Sequence, residues 1–440
     1  MYLVKDIGGA ICLMAAALVL LGTWPVVLAV LERRGRLPQH TYLDYSITNF
    51  LAAVLIALTF GQIGADTPET PNFLTQLAQP QATSWLSVFP SDLKFYICEE
   101  ATTLQLDYWP SIMFALAGGV VITLGTVATQ YGWAYVGLSV TEVMASSLKV
   151  VIGTTLNYFL DGRINRAEVL FPGVGCFLIA ACLGSLVHSS NAADNQEKLS
   201  NSRNYSTGNT PKEDLTQHLL QVEEEPKDCE EAKPAVPNNK AVEKALAGTA
   251  DFLIDLEDKR SIKVLGSNTL VGLAIVTFAG VCYSLFAPAF NLATNDQWHT
   301  LRDGVPHLVV YTAYFYFCLS SLVVGVALNV WCLYRPMAGV PRSTLRAYVG
   351  DGEGRGLALL AGLVSGLGNA FTFMAGQAAG YAAADSVQAL PLVSTFWGVV
   401  LFGEYRRSSR RTYTLLGSML FMFVVAMAVL MASSAHRKPL

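Results

Sequence analysis

Residues 138–163 read LSVTEVMASSLKVVIGTTLNYFLDGR, and residues 381–406 read YAAADSVQALPLVSTFWGVVLFGEYR. Laid over one another at one ungapped offset of 243 positions, Glu142 falls on Asp385, Asp161 on Glu404 and Arg163 on Arg406. The same offset carries Gly125 onto Gly368. Both stretches are apolar, hold one carboxylate near the start and close with an acid two positions before an arginine. Such matching at a fixed offset marks an internal duplication.

Working outward from this pair, further apolar stretches appear on both sides. A membrane-crossing helix needs about 20 apolar residues. The sequence predicts ten, near 8–31, 41–63, 109–131, 134–160, 168–188, 264–291, 307–334, 357–378, 382–402 and 412–433. Five precede one charged loop and five follow it, so the chain reads as an all-α membrane protein of ten transmembrane helices in two five-helix repeats. The divisions are 1–188, a central loop 189–263, and 264–440. Many secondary transporters place their substrate site between two such repeats.

Composition agrees. Of 440 residues, 52% are hydrophobic and 14% charged, against about 25% charged in a typical soluble domain, and the mean hydropathy is +0.41. The net charge is −4, and residues 189–262 alone carry fifteen acids against nine bases. The acidity therefore belongs to the loop and argues against nucleic acid as a partner. The first apolar segment is too long for a cleaved h-region and reads as a signal anchor. The eight cysteines show no metal-ligand spacing, and neither a disulfide nor a metal site is expected.

Eleven arginines (33, 34, 36, 335, 342, 346, 355, 406, 407, 410 and 411) flank one set of helix ends. Seven basic residues (Lys5, Lys94, Arg163, Arg166, Arg302, Arg437 and Lys438) flank the other. The richer face is expected to be cytosolic, with both termini outside and the central loop inside. Residues 191–239 are polar and nearly free of aromatics, and are expected to be disordered. Val242, Leu246, Leu253 and Leu256 then recur at helical spacing, an amphipathic segment over 240–263 that either lies on the membrane or tethers the next helix.

An ionisable side chain in a membrane span costs about 2.5–3.5 kcal/mol on insertion scales and is read as functional by default. Glu142, Asp385, Asp44 and Lys149 are such residues, and become the candidates for proton coupling, since a desolvated carboxylate can take up a proton near neutral pH. Glu142 and Lys149 lie seven residues apart, two turns along one helical face, so Lys149 also reads as the charge partner of Glu142. Asp44 and Asp385 read equally as interfacial groups satisfied by water or helix capping. Asp161 and Glu404, each two positions before an arginine at a helix end, read as interface anchors in preference to a transport role. For a polar, uncharged solute the candidates are the amides Asn49, Gln130, Asn157, Asn369, Gln377 and Gln388, with Trp24, Tyr314 and Trp397 as stacking surfaces; each amide serves equally well as interhelical glue. Trp24-Pro25 and Ala287-Pro288 are expected to open their helices toward a cavity. Runs such as Ala117-Gly118-Gly119 and 362–368 suit close helix packing. No Walker loop, nucleophile elbow or metal-ligand cluster is present, so neither an enzyme nor a cofactor is expected.

Leu21-Gly22-Thr23-Trp24-Pro25, the run LERRGRLPQHTYLDY at 31–45, and the stretch from Ala128 to Arg166 followed by INRAEVLFPGVGCFLIA together resemble the plant ureide permeases. The resemblance spans 8–79 and 109 to about 430. It implies the inverted five-helix repeats of the drug/metabolite transporter superfamily and proton-driven import of allantoin and related oxo-heterocycles such as uracil and xanthine, in the plasma membrane or, as the alternative, an endomembrane. Three features depart from the family pattern. Residues 80–106 form an insert, read as an external loop or, by preference, a translated intron. The lysine of the family's nucleotide-binding loop is absent, so nucleotide binding is not carried over. Lys149 stands where a small or hydroxyl residue is expected. A proton-independent carrier for another small metabolite, and a receptor or scaffold acting through the central loop, remain alternatives on sequence alone.

Overall fold

The computed structural model describes residues 1–4, 6–67, 70–78, 108–163, 165–207, 259–260, 262, 269–295, 305–337 and 340–434. The insert 80–106 and nearly all of the segment 240–263 lie outside them. Among the described residues the chain is helical, without strands. Ten helices are long and apolar enough to span a membrane. They are α1 (Ile7–Arg33), α2 (Pro38–Leu58), α3 (Trp109–Val136), α4 (Leu138–Leu160), α5 (Ala167–Thr207), α6 (Thr269–Asn295), α7 (Val310–Tyr334), α8 (Arg355–Ala379), α9 (Tyr381–Phe402) and α10 (Arg410–Ser433). Large apolar side chains such as Leu178, Leu270, Phe278 and Phe421 are exposed on the outside, as lipid-facing surfaces require. The interior collects aromatics, among them Phe290 stacked on Phe373 at 3.7 Å between centroids.

The packing obeys the duplication. α1 lies along α8, and its counterpart α6 lies along α3. α2 touches α7 and α8, while α7 touches α2 and α3. α4 meets α9 and α5 meets α10. Because five is odd, the second unit enters the membrane from the opposite face, and the repeats are inverted. Agreement reaches single atoms. A Cβ on Gly119 of α3 would stand 2.0 Å from the Phe317 carbonyl oxygen of α7. A Cβ on Gly362 of α8, 243 positions on, would stand 2.1 Å from the Tyr45 carbonyl oxygen of α2. Only glycine admits backbones this close, so these small-residue runs do serve packing.

Two expectations need correction. Pro25 and Pro288 sit inside helices that continue past them. The irregular backbone lies instead in α4, which relaxes to a π-helical segment over Lys149–Thr154, and in α9, where a 3₁₀ turn (Asp385–Gln388) precedes Pro391. Interruptions of this kind recur at functional sites. Lastly, α5 continues to Thr207, well past residue 188 and into the stretch whose composition suggests disorder. Its extension is held by contacts that composition does not register. Asp194 accepts hydrogen bonds from the Ser409 N–H and the Thr412 hydroxyl at the start of α10, both at 2.8 Å, and Lys198 donates to the Arg406 carbonyl at 3.1 Å.

Candidate functional site

Where the two units meet, residues of α1, α2, α3, α4, α6, α8 and α9 enclose a central cavity of about 50 Å³, room for a few waters. Trp24 forms one wall, its ring 5.3 Å from that of Tyr45 and 5.7 Å from that of Trp133. Glu142, Lys149, Asn369 and Gln388 supply the cavity's charged and amide groups. A flat aromatic wall with a few convergent polar groups is what a small planar solute needs.

The charged groups pair differently from the sequence reading. Glu142 accepts a hydrogen bond from Trp133 Nε1 at 3.0 Å, and Lys149 lies over the Phe286 ring, 4.2 Å from its centroid. The electrostatic partner of Lys149 is Asp385, not Glu142. Asp385 is not among the residues lining the cavity; it accepts from the Thr154 hydroxyl at 3.0 Å and Asn157 Nδ2 at 3.3 Å. The π-helical segment of α4 brings Lys149 and Thr154 to this carboxylate. Glu142 and Asp385 each lie five residues beyond a glycine that opens their helix, Gly137 and Gly380. The inverted repeats therefore place the two carboxylates at equivalent positions of α4 and α9.

The amides separate into two groups. Asn369 and Gln388 line the cavity, and the buried Gln388 Nε2 has no hydrogen-bond partner among the described residues. Asn49 lies between α2 and α7, its amide 4.0 Å from the Cys318 sulfur. Gln130 lines a smaller void beside Glu32 and Arg36. Gln377 lies near the end of α8, outside the cavity wall, and Trp397 hydrogen-bonds Thr23 across α1 and α9 at 3.3 Å. Asp44 is also elsewhere, within a buried network at the arginine-rich face. It pairs with Arg36 at 2.7 Å and accepts from the Tyr348 hydroxyl at 2.7 Å. Beside it, burial works to raise the carboxyl pKa of Asp351, but the His40 hydrogen bond and the Arg36 charge outweigh burial and hold it below the ordinary value. Tyr45, Ser365, Tyr283 and Phe286 line the cavity without having stood out in the sequence. A tyrosine in an apolar helix gives no signal of the side it faces.

Ten apolar helices in inverted repeats, enclosing a partly polar cavity, define a multi-pass integral membrane protein of the transporter class. The family model for ureide permeases matches residues 41–92 and 95–433. The chain is 58% identical over 438 residues to Ureide permease 1 of Arabidopsis thaliana, with all of both chains covered. It is 58% identical over 439 residues to Ureide permease 2 of the same plant, again over the full length of both. No solved structure is significantly similar. The chain belongs to the ureide permease family.

Proposed function

We propose that the chain is a proton-coupled symporter that imports allantoin and other oxo nitrogen-heterocycles, such as uracil and xanthine, through the central cavity. The observation that carries this reading is the cavity wall itself. A buried amide donor without a partner among the described residues, Gln388 Nε2, is costly unless a ligand or water satisfies it, and a carbonyl-rich solute does so. The full-length likeness to proteins named for ureides supports the same class. In this reading Trp24 stacks on the solute while Asn369 and Gln388 bond its amide edges. Glu142 and Asp385 carry the proton, and Lys149 responds to the state of Asp385. Asp44 stabilises the arginine-rich face, which is cytosolic. Asn49, Gln130, Gln377 and Trp397 hold helices around the cavity. The units 1–188 and 264–440 rock about it to give alternating access.

The test is uptake of radiolabelled allantoin and uracil at pH 5 and pH 7.5 in yeast lacking its own permeases, with surface expression measured. Wild type is expected to take up both faster at pH 5 and to lose the stimulation with a protonophore. Glu142→Gln should abolish the acid stimulation. Uptake indifferent to pH and protonophore would overturn symport, and no uptake of either compound by protein at the surface would overturn the substrate class.

A further inference from the structure

Gly137 and Gly380, separated by the repeat offset, join α3 to α4 and α8 to α9. Both take the same backbone, φ 86° with ψ 163° and φ 85° with ψ 144°, a left-handed region that favours glycine. Each stands at the N-cap of its helix, where it has no side chain to accept from the first N–H groups. A carboxylate from the other unit stands there instead. Asp161, at the end of α4, accepts from the Ala382 N–H of α9 at 3.3 Å. Glu404, at the end of α9, accepts from the Ser139 hydroxyl of α4 at 2.5 Å. Acids and donors are both related by the offset: 161 maps onto 404, and 139 onto 382.

The second oxygens complete the correspondence. Asp161 Oδ1 accepts from Asn291 Nδ2 of α6 at 2.8 Å, and Glu404 Oε1 pairs with Arg33 of α1 at 3.0 Å. α6 and α1 are themselves repeat counterparts. Each carboxylate thus bridges the fourth and first helices of the unit to which it does not belong. The following residues, Gly162 and Tyr405, share φ of 63° and 60°, so the turns presenting the acids match as well. One bridge lies at the arginine-rich face and the other at the opposite face, with the cavity between them.

We infer that Asp161 and Glu404 are the two positioning residues of alternating access. Each clasps the units together at one face, and the cavity opens to a face when that face's clasp releases while the other holds. In this structure both clasps are closed. An anion at a helix N-terminus is favourable, so neutralising one acid weakens one clasp and leaves the other intact. The equilibrium then shifts toward the state open on the weakened side. The inference rests on the carrier reading but not on the solute carried.

Ser146 of α4 lines the cavity, and the experiment places a cysteine there by Ser146→Cys. It is labelled with a membrane-impermeant methanethiosulfonate from outside intact cells and, separately, in inside-out vesicles, with modification at position 146 quantified by mass spectrometry. Asp161→Asn is expected to raise labelling from one side by about five-fold or more, the lower range of coupling between sites, and to lower it from the other. Glu404→Gln should do the reverse. Ser139→Ala and Asn291→Ala remove one arm of each clasp while keeping its carboxylate. They should follow Glu404→Gln and Asp161→Asn respectively, and they decide the matter if a carboxylate variant fails to reach the membrane. Variants that all shift labelling on the same side, or leave the wild-type ratio unchanged, would overturn the inference, since a merely structural role predicts no opposition of sides. A Ser146→Cys protein with both clasps intact that is labelled from neither side would overturn the carrier reading and the clasps with it.

Discussion

Glu142 is a carboxylate taken out of water, and Trp133 Nε1 is the protein donor that meets it. A buried acceptor deprived of its donor costs about 1–3 kcal/mol. Phenylalanine keeps the aromatic body that packs on Trp24 and removes only the N–H. Trp133→Phe is therefore expected to reach the cell surface normally and to lower allantoin uptake by roughly 5–30-fold, the factor carried by one or two kcal/mol; unchanged uptake would show that the bond plays no part in transport. At this scale the sequence was informative about depth and silent about direction. Glu142, Lys149, Asn369, Gln388 and Trp24 stood out as polar or aromatic residues within apolar runs, and they face the cavity. Asn49 and Gln130 carried the same signal and face other helices, because an apolar span has no polar side from which orientation can be read. In the sequence Asp161 and Glu404 read as interface anchors, since an arginine follows each two positions later. Their actual contacts are with residues 221 and 265 positions distant, which a local reading does not reach.

Among the elements, the ten spans were legible because a run of about 20 apolar residues has few alternative explanations. The irregular segments were not. Neither the π-helical segment at Lys149 nor the 3₁₀ turn at Asp385 follows from helix propensity; both lie where α4 and α9 press against each other and against α6 and α1. The extension of α5 was missed for the same kind of reason, as Asp194 is held by α10 rather than by its own neighbours. The glycine pair gives the sharpest test at this scale. Valine at Gly119 or Gly362 must displace a backbone carbonyl of the facing helix, an overpacking that costs about 1–3 kcal/mol. Both variants are expected to lower the melting temperature in detergent by comparable amounts. Gly175→Ala, where an added Cβ meets nothing within 4 Å, should leave it unchanged. Equal tolerance at all three positions would contradict the close approach of α3 to α7 and of α2 to α8.

As a whole, the molecule is one unit used twice, in opposite senses, around a cavity that neither unit encloses alone. The duplication was visible at a single offset, and the structure extends it to helix contacts, cap glycines and clasping acids. Inversion has a functional consequence. The bridge of Glu404 to Ser139 and Arg33 at one face has its counterpart in the bridge of Asp161 to Ala382 and Asn291 at the other, so on the inferred mechanism a force on either one biases the equilibrium between the two end states. In the proposed symport, a proton and a neutral solute bound in the shared cavity supply that bias together. The direct measurement uses purified protein in liposomes containing a pH-sensitive dye. On addition of allantoin outside, with no initial pH gradient, the account predicts acidification of the lumen that accompanies entry of labelled allantoin and is absent with Glu142→Gln. Entry of allantoin without acidification would contradict it.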